Sequence, residues 1–281
     1  MQNLNFYKKY IKKIVADALN EDIGSGDITA NLIPKNKMAQ AKIISREKAI
    51  IAGTIFVTEV FKQLNPKIKI KWFIQDGNTI KPNQMLCELT GPARELLSGE
   101  RTALNFLQTL SGTATITRNF VDKIAKTKTI LLDTLKTIPN LRLAQKYAVA
   151  IGGGKNHRLG LFDAFLIKEN HITALDGSIT KVINAARKEN QKKTIEIEVQ
   201  NLNQLKEAIL AKANIVMLDN FNLAGIKKAV KINNKQVKLE VSGDVNLKNI
   251  RSIAETGVDY ISVGSLTKHV VAINLSMLFT L

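Results

Sequence analysis

Between Asp133 and His171 the sequence gathers Lys136, Arg142, Lys146, Lys155, Arg158 and Lys168, with two of the chain's three histidines, His157 and His171, around the consecutive glycines 152 to 154. Cations at that density can hold carboxylates and phosphates through charge-assisted hydrogen bonds, and the glycines let the backbone bend among them. Further along, Glu198 and Asp219 offer carboxylates of the kind that take magnesium or sugar hydroxyls. Together the two groups suit an anionic substrate paired with a magnesium-bound phosphate ligand. The glycines are not followed by the Gly-Lys-Ser/Thr ending of a phosphate-binding P-loop, which excludes a nucleoside-triphosphate site of that type.

Short apolar runs must position these residues. From Thr129 onward the sequence alternates strand and helix, with strands read at TILLDT, AFLIKE, TIEIEV, IVMLDN, KLEVSG and YISVGS. The spacing is that of a βα repeat, whose parallel strands are buried on both faces and read as continuous apolar segments. Their polar ends are Asp133, Lys168, Glu198, Asp219, Ser242 and Gly264, and in barrels and open α/β sheets the carboxyl ends of strands carry the chemistry. Ser242-Gly243-Asp244 and Gly264-Ser265 follow the last two strands, where such folds bind phosphate on backbone N–H groups. Six strands fall short of a full eightfold barrel, so an incomplete βα barrel of six or seven strands is expected over residues 113–270.

Residues 1–112 read as a separate α+β domain, sandwich-like. Phe6, Tyr10, Ile14 and Leu19 recur at helical spacing opposite Lys8, Lys9, Lys12 and Lys13, an amphipathic helix. Strands are expected at 41–46, 49–52, 67–72 and 85–89, with a helix at 58–64. Two helices, 96–110 and 114–125, are expected on either side of Ser111-Gly112. The apolar tail, 271–281, is expected to pack back on this first domain.

The 281 residues are 45% hydrophobic and carry a net charge of +17. The lysines are scattered rather than blocked, and aromatic residues make up only 5%, so the charge is read as a solvated surface that steers small polyanions, with no nucleic-acid interface. No apolar run approaches the roughly 18 residues of a membrane-spanning helix, and lysines interrupt the N-terminal segment where a signal peptide would be apolar. With Cys87 the single cysteine, no intramolecular disulfide can form and a cytoplasmic protein without membrane contact is expected.

The order of motifs resembles the quinolinate phosphoribosyltransferase, or nicotinate-nucleotide pyrophosphorylase, family. It runs Asp133-Thr134-Leu135-Lys136-Thr137, Leu141-Arg142, Lys146-Tyr147-Ala148-Val149, Gly152-Gly153-Gly154-Lys155-Asn156-His157-Arg158 and Leu166-Ile167-Lys168-Glu169-Asn170-His171. Support comes from the segment 99–105, from Leu218-Asp219-Asn220-Phe221, from Glu240-Val241-Ser242-Gly243 and from the segment 263–269. The resemblance implies an α/β enzyme of de novo NAD synthesis that converts quinolinate and phosphoribosyl pyrophosphate to nicotinate mononucleotide, pyrophosphate and carbon dioxide with magnesium. It implies that Arg158, His157, Lys168 and a partner subunit's Arg101 hold the substrate carboxylates, with Thr137 in the substrate-binding set. Lys136 would act on the reacting carboxylate or the pyrophosphate, and Glu198 and Asp219 would hold magnesium and the ribose hydroxyls. It further implies a homodimer, or a hexamer built from dimers. One position departs: the family's Asp-Thr-Arg-Lys-Thr has Leu135 in place of its arginine.

Other classes would leave different marks. A paralogue of the same fold, associated with molybdenum transport, would differ at the substrate-binding cations. A Schiff-base aldolase would use Lys168 as a nucleophile. A non-enzymatic barrel holding a phosphorylated ligand or nucleic acid would have no use for carboxylates in its mouth, where Glu198 and Asp219 repel a phosphate backbone unless magnesium is present.

Overall fold

A computed structural model describes residues 4–280, with side chains from Tyr7 onward. In chain order the elements are α1 (Leu4–Ile23), β1 (Met38–Ser45), β2 (Ala49–Ile50), α2 (Thr54–Leu64), β3 (Lys69–Trp72), β4 (Thr79–Ile80), β5 (Met85–Pro92) and α3 (Ala93–Ile124). They continue with β6 (Ile130–Leu132), α4 (Arg142–Ile151), β7 (Phe165–Ile167), α5 (Glu169–Ala174), α6 (Ile179–Glu189), β8 (Ile195–Val199), α7 (Leu202–Leu210) and β9 (Ile215–Asp219). The last are α8 (Leu223–Asn233), β10 (Lys238–Ser242), α9 (Ile250–Ala254), β11 (Tyr260–Ser262), α10 (Ser265–Lys268) and β12 (Leu275–Thr280). No described helix is long and apolar enough to cross a membrane.

Two compact units result, one of residues 1–118, 137–153 and 267–281, the other of 119–136 and 154–266. In the first, antiparallel strands lie in the order β12-β1-β5-β3. The tail packs back by pairing β12 with β1, Gln40 opposite Thr280 through Ser45 opposite Leu275. The buried stripe of α1 is Ile11, Val15 and Leu19, with Tyr10 and Ile14 at its flank; the side chain of Phe6 lies outside the described residues. Helix α4 belongs to this unit because Ala144 and Ala148 enter its core and the Tyr147 hydroxyl donates to Asp76. Asp76 in turn accepts the N–H groups of Gly53 and Thr54 at the start of α2.

Where two helices were expected around Ser111-Gly112, one continuous helix, α3, runs through. Both residues are buried there for packing reasons. The Ser111 hydroxyl accepts the Ala52 N–H at 3.0 Å, and a Cβ on Gly112 would stand 2.1 Å from the carbonyl oxygen of Val271. The glycine permits a close backbone approach and leaves the helix unbroken.

The second unit is a six-stranded parallel sheet in the order β6-β11-β10-β9-β8-β7. It is the lower of the two expected strand counts. No ladder joins the edge strands β6 and β7 among the described residues; besides its ladder with β11, β6 takes an isolated bridge from Leu132 to Lys155. The sheet is thus open, as expected of an incomplete barrel. On β8 the alternation buries Ile195, Ile197 and Val199 on the face toward α6 and α7 and turns Glu196 and Glu198 the other way.

Candidate active site

The carboxyl ends of the parallel strands bring part of the expected set together. Lys168 follows β7, Glu198 lies near the end of β8 and Asp219 ends β9, and all three line one cavity of about 380 Å³. The Lys168 ammonium sits 3.0 Å from Glu198 Oε1. The lysine is half exposed, so the pair contributes little to stability, on the order of 1 kcal/mol or less. Its interest is geometric, since it sets a cation beside two carboxylates. The Lys168 N–H donates to Nδ1 of the exposed His171 at 3.0 Å, which fixes the turn into α5 and gives His171 a local orienting role.

Lys136 lies across Gly264. A Cβ at residue 264 would come within 3.0 Å of Lys136 Cδ and 3.9 Å of its Nζ, so this glycine leaves room for the lysine stem. The Lys136 N–H donates to the Thr134 hydroxyl at 3.1 Å. Ser242 ends β10, and Gly243 (φ +95°) and Asp244 (φ +47°) turn the chain away from it. Ser265 opens the short α10. In the other unit, Thr137 accepts from Arg142 Nε at 3.2 Å, and Arg101 stands exposed on α3.

His157 and Arg158 line a different cavity, of about 410 Å³, together with Glu196 and Glu240. The segment carrying them is clamped by the buried Asp133, which accepts the Asn156 side-chain amide and the His157 N–H, both at 2.8 Å. His157 Nε2 faces Glu196 at 2.8 Å and Glu240 at 3.5 Å. Among the described residues, beyond that longer contact no hydrogen bond reaches either oxygen of Glu240, and Glu196 Oε1 also lacks one. Burial pushes the Glu196 carboxyl up to about 7, with the Glu240 charge adding to the rise against the His157 contact. Burial alone would lower the imidazole, but hydrogen bonds and charge from the two carboxylates outweigh it and raise His157 to about 10.

These three side chains bring donor atoms within 4.8 Å of one another, a spacing a metal could use. In the neutral ring, however, His157 Nδ1 accepts the Arg158 N–H at 2.7 Å, which puts the ring proton on Nε2, facing Glu196. A metal would need the lone pair of that same nitrogen. The cluster therefore shares protons, with the proton that both shifts favour lying between the imidazole and the carboxylates. Neither ring nitrogen is left to donate to a substrate, which separates His157 from the cations expected to bind carboxylates.

Glu196 was given no role from the sequence and Glu240 only a place in the Glu240-Val241-Ser242-Gly243 motif, although the alternation in Ile195-Glu196-Ile197-Glu198 places Glu196 and Glu198 on one face. A charged residue in mid-strand, flanked by buried apolar neighbours, is the signal that marks them.

A six-stranded parallel sheet with helical crossovers, carrying a lysine and two carboxylates at its carboxyl-end mouth, defines an α/β enzyme scaffold. The family description "Quinolinate phosphoribosyl transferase, N-terminal domain" matches residues 27–111, and its C-terminal counterpart matches 113–278. A probable carboxylating nicotinate-nucleotide pyrophosphorylase of Bacillus subtilis is 39% identical, covering 96% of this chain and 94% of that protein. The solved structure of nicotinate-nucleotide pyrophosphorylase from Francisella tularensis superposes with a TM-score of 0.92 at 50% identity, covering 97% of this chain and 96% of that one. The corresponding structure from Ehrlichia chaffeensis gives 0.92 at 41% identity, covering 95% and 98%. The chain belongs to the quinolinate phosphoribosyl transferase family.

Proposed function

We propose that the chain is a phosphoribosyltransferase of NAD biosynthesis, joining quinolinate to phosphoribosyl pyrophosphate and releasing pyrophosphate and carbon dioxide to leave nicotinate mononucleotide. The observation that carries the reading is the cavity at the strand ends, where Lys168 meets Glu198 beside Asp219, in a chain matched by both domains of the family. In the reaction the pyridine nitrogen attacks the anomeric carbon and the bond to pyrophosphate breaks. The cationic ring then accepts the electron pair as the bond to the adjacent carboxylate breaks, carbon dioxide leaves and the ring carbon takes up a proton.

The protein's part is to collect charge. Lys168, with Arg101 donated across a homodimer interface, binds the two carboxylates through charge-assisted hydrogen bonds, Arg158 contributes its positive charge from the other cavity that it lines, and Thr137 belongs to the same binding set. Lys136 acts on the reacting carboxylate or the departing pyrophosphate. His157 supports the Arg158 backbone, since its own nitrogens are engaged within the chain. Ser242, Gly243, Asp244, Gly264 and Ser265 supply backbone N–H groups to the 5-phosphate.

Glu198 and Asp219 present an all-oxygen donor pair to one cavity, the chemistry magnesium selects, and these two would hold it together with the ribose hydroxyls. When bound, magnesium neutralises charge on the leaving pyrophosphate. Lys168 then has two competing acceptors, Glu198 and a substrate carboxylate. The enzyme works in the cytoplasm as a homodimer or as a hexamer.

The test is a turnover assay with quinolinate, phosphoribosyl pyrophosphate and magnesium, with nicotinate run in parallel. Nicotinate mononucleotide from quinolinate but not from nicotinate is expected. No product at saturating quinolinate from folded protein would leave only the fold assignment standing.

A further inference from the structure

We infer that Asn220 is a positioning residue for Asp219, an inference that rests on the reading of Asp219 as a ligand of the magnesium-bound phosphoribosyl group. β9 ends at Asp219, and Asn220 turns out of the strand at φ +56°, in the left-handed region that asparagine enters more readily than most residues. Its N–H donates to the Ser242 carbonyl at 3.0 Å, one step past the ladder pair of Ser242 with Asp219. Its side-chain amide donates to Asp219 Oδ2 at 3.0 Å. One carboxylate oxygen is thereby tethered, while no hydrogen bond from the described residues engages Oδ1.

The other end of the amide explains why it stays there. Asn220 Oδ1 is seated on the bare Cα of Gly243: a Cβ at that position would be 2.0 Å from Oδ1 and 3.0 Å from the Asn220 nitrogen. Gly243 itself adopts φ +95°. The missing side chain makes a seat for the amide oxygen, and the seat turns the amide nitrogen toward Asp219. One small side chain thus ties the carboxylate at the end of β9 to the loop that follows β10.

A tethered carboxylate loses less rotational freedom when a ligand arrives than a free one does. Loss of one hydrogen bond to a charged group at this partly solvated site is expected to weaken binding about three- to tenfold. The competing explanation is that Asn220 is there only to make the left-handed turn. Asn220→Gly separates the two, since glycine keeps the turn and removes the amide.

Calorimetric binding of phosphoribosyl pyrophosphate with magnesium, without quinolinate, is expected to weaken three- to tenfold in Asn220→Gly. Quinolinate binding should stay within twofold and the melting temperature should hardly change. Asn220→Ala also lacks the amide and should weaken binding at least as much, whatever happens to Asn220→Gly. Wild-type affinity in either variant overturns the inference. Asp219→Asn serves as the reference: if it weakens magnesium-dependent binding and Asn220→Gly does not, the positioning role alone fails. If Asp219→Asn leaves that binding unchanged, the ligand role of Asp219 fails and the inference falls with it.

Discussion

Replacing Glu240 by glutamine should flatten the dependence of stability on pH. Glu240 is fully buried, and its charge is one of the causes that raise both Glu196 and His157. A group whose pKa is higher in the folded than in the unfolded chain stabilises the fold at low pH, and loses that contribution as pH rises through the folded value. Glu196 rises from 4.5 to about 7 and His157 from 6.5 to about 10, so both act in the same direction.

At about 1.4 kcal/mol per pKa unit, the Glu196 shift alone corresponds to a loss of about 3 kcal/mol as pH climbs from about 5 to about 8. His157 extends the fall toward pH 10. Glutamine keeps the shape of residue 240 and removes its charge, so the fall should shrink, while the larger part, set by burial of Glu196 and its contact with His157, remains. Urea unfolding at fixed ionic strength across pH 5 to 9 reads the slope directly. A wild-type stability that rises over this range, or a variant slope equal to the wild type's, would refute the shared-proton account of the cluster.

Four further outcomes follow from the geometry. Gly112→Ala gains about 1 kcal/mol of helix propensity, but the new Cβ would meet the Val271 carbonyl at 2.1 Å; a net loss of about 1–2 kcal/mol is expected in denaturant unfolding, within the range of overpacking costs. Leu135→Arg restores the family's arginine and should lower the KM for quinolinate about ten- to a hundredfold, the worth of one added charge-assisted hydrogen bond; an unchanged KM means another cation, such as Arg142, already compensates. Lys168→Met should change stability by less than about 1 kcal/mol, since it removes only a half-exposed pair, while turnover falls by at least about a hundredfold, as for loss of a group that stabilises charge in the transition state. Arg101→Ala should be inactive alone, and mixing it with an inactive Lys168→Met chain should restore part of the activity if the arginine acts across the dimer.

Much of the second unit was legible because buried parallel strands leave an unmistakable trace. Each apolar run ends in a polar residue, and the polar ends of three neighbouring strands, Lys168, Glu198 and Asp219, do share a cavity. What sequence could not give is direction within the sheet. Arg158 follows His157 in a motif that looks like one cationic cluster, yet both line the cavity of Glu196 and Glu240 and not the one that Lys168 lines. That outcome depends on long-range pairing of residues 157, 196 and 240, which no local pattern encodes. Ser111-Gly112 misled for a related reason, because glycine signals both helix ends and close backbone approach, and only the position of Val271 distinguishes them.

Pairing of β12 with β1 bears on how the polypeptide is made. About 180 residues separate the end of β5 from the start of β12, and the sheet edge beside β1 stays uncovered until the later strand exists. At roughly 5–20 residues per second on the ribosome, the nascent first unit exposes that edge for about ten seconds or more. All six parallel strands of the second unit are complete before β12 is made. Folding order can therefore run against sequence order, with the later unit finished first and the earlier one open to edge-to-edge association meanwhile. An unfinished chain stalled before residue 275 is the species a holdase would be expected to meet.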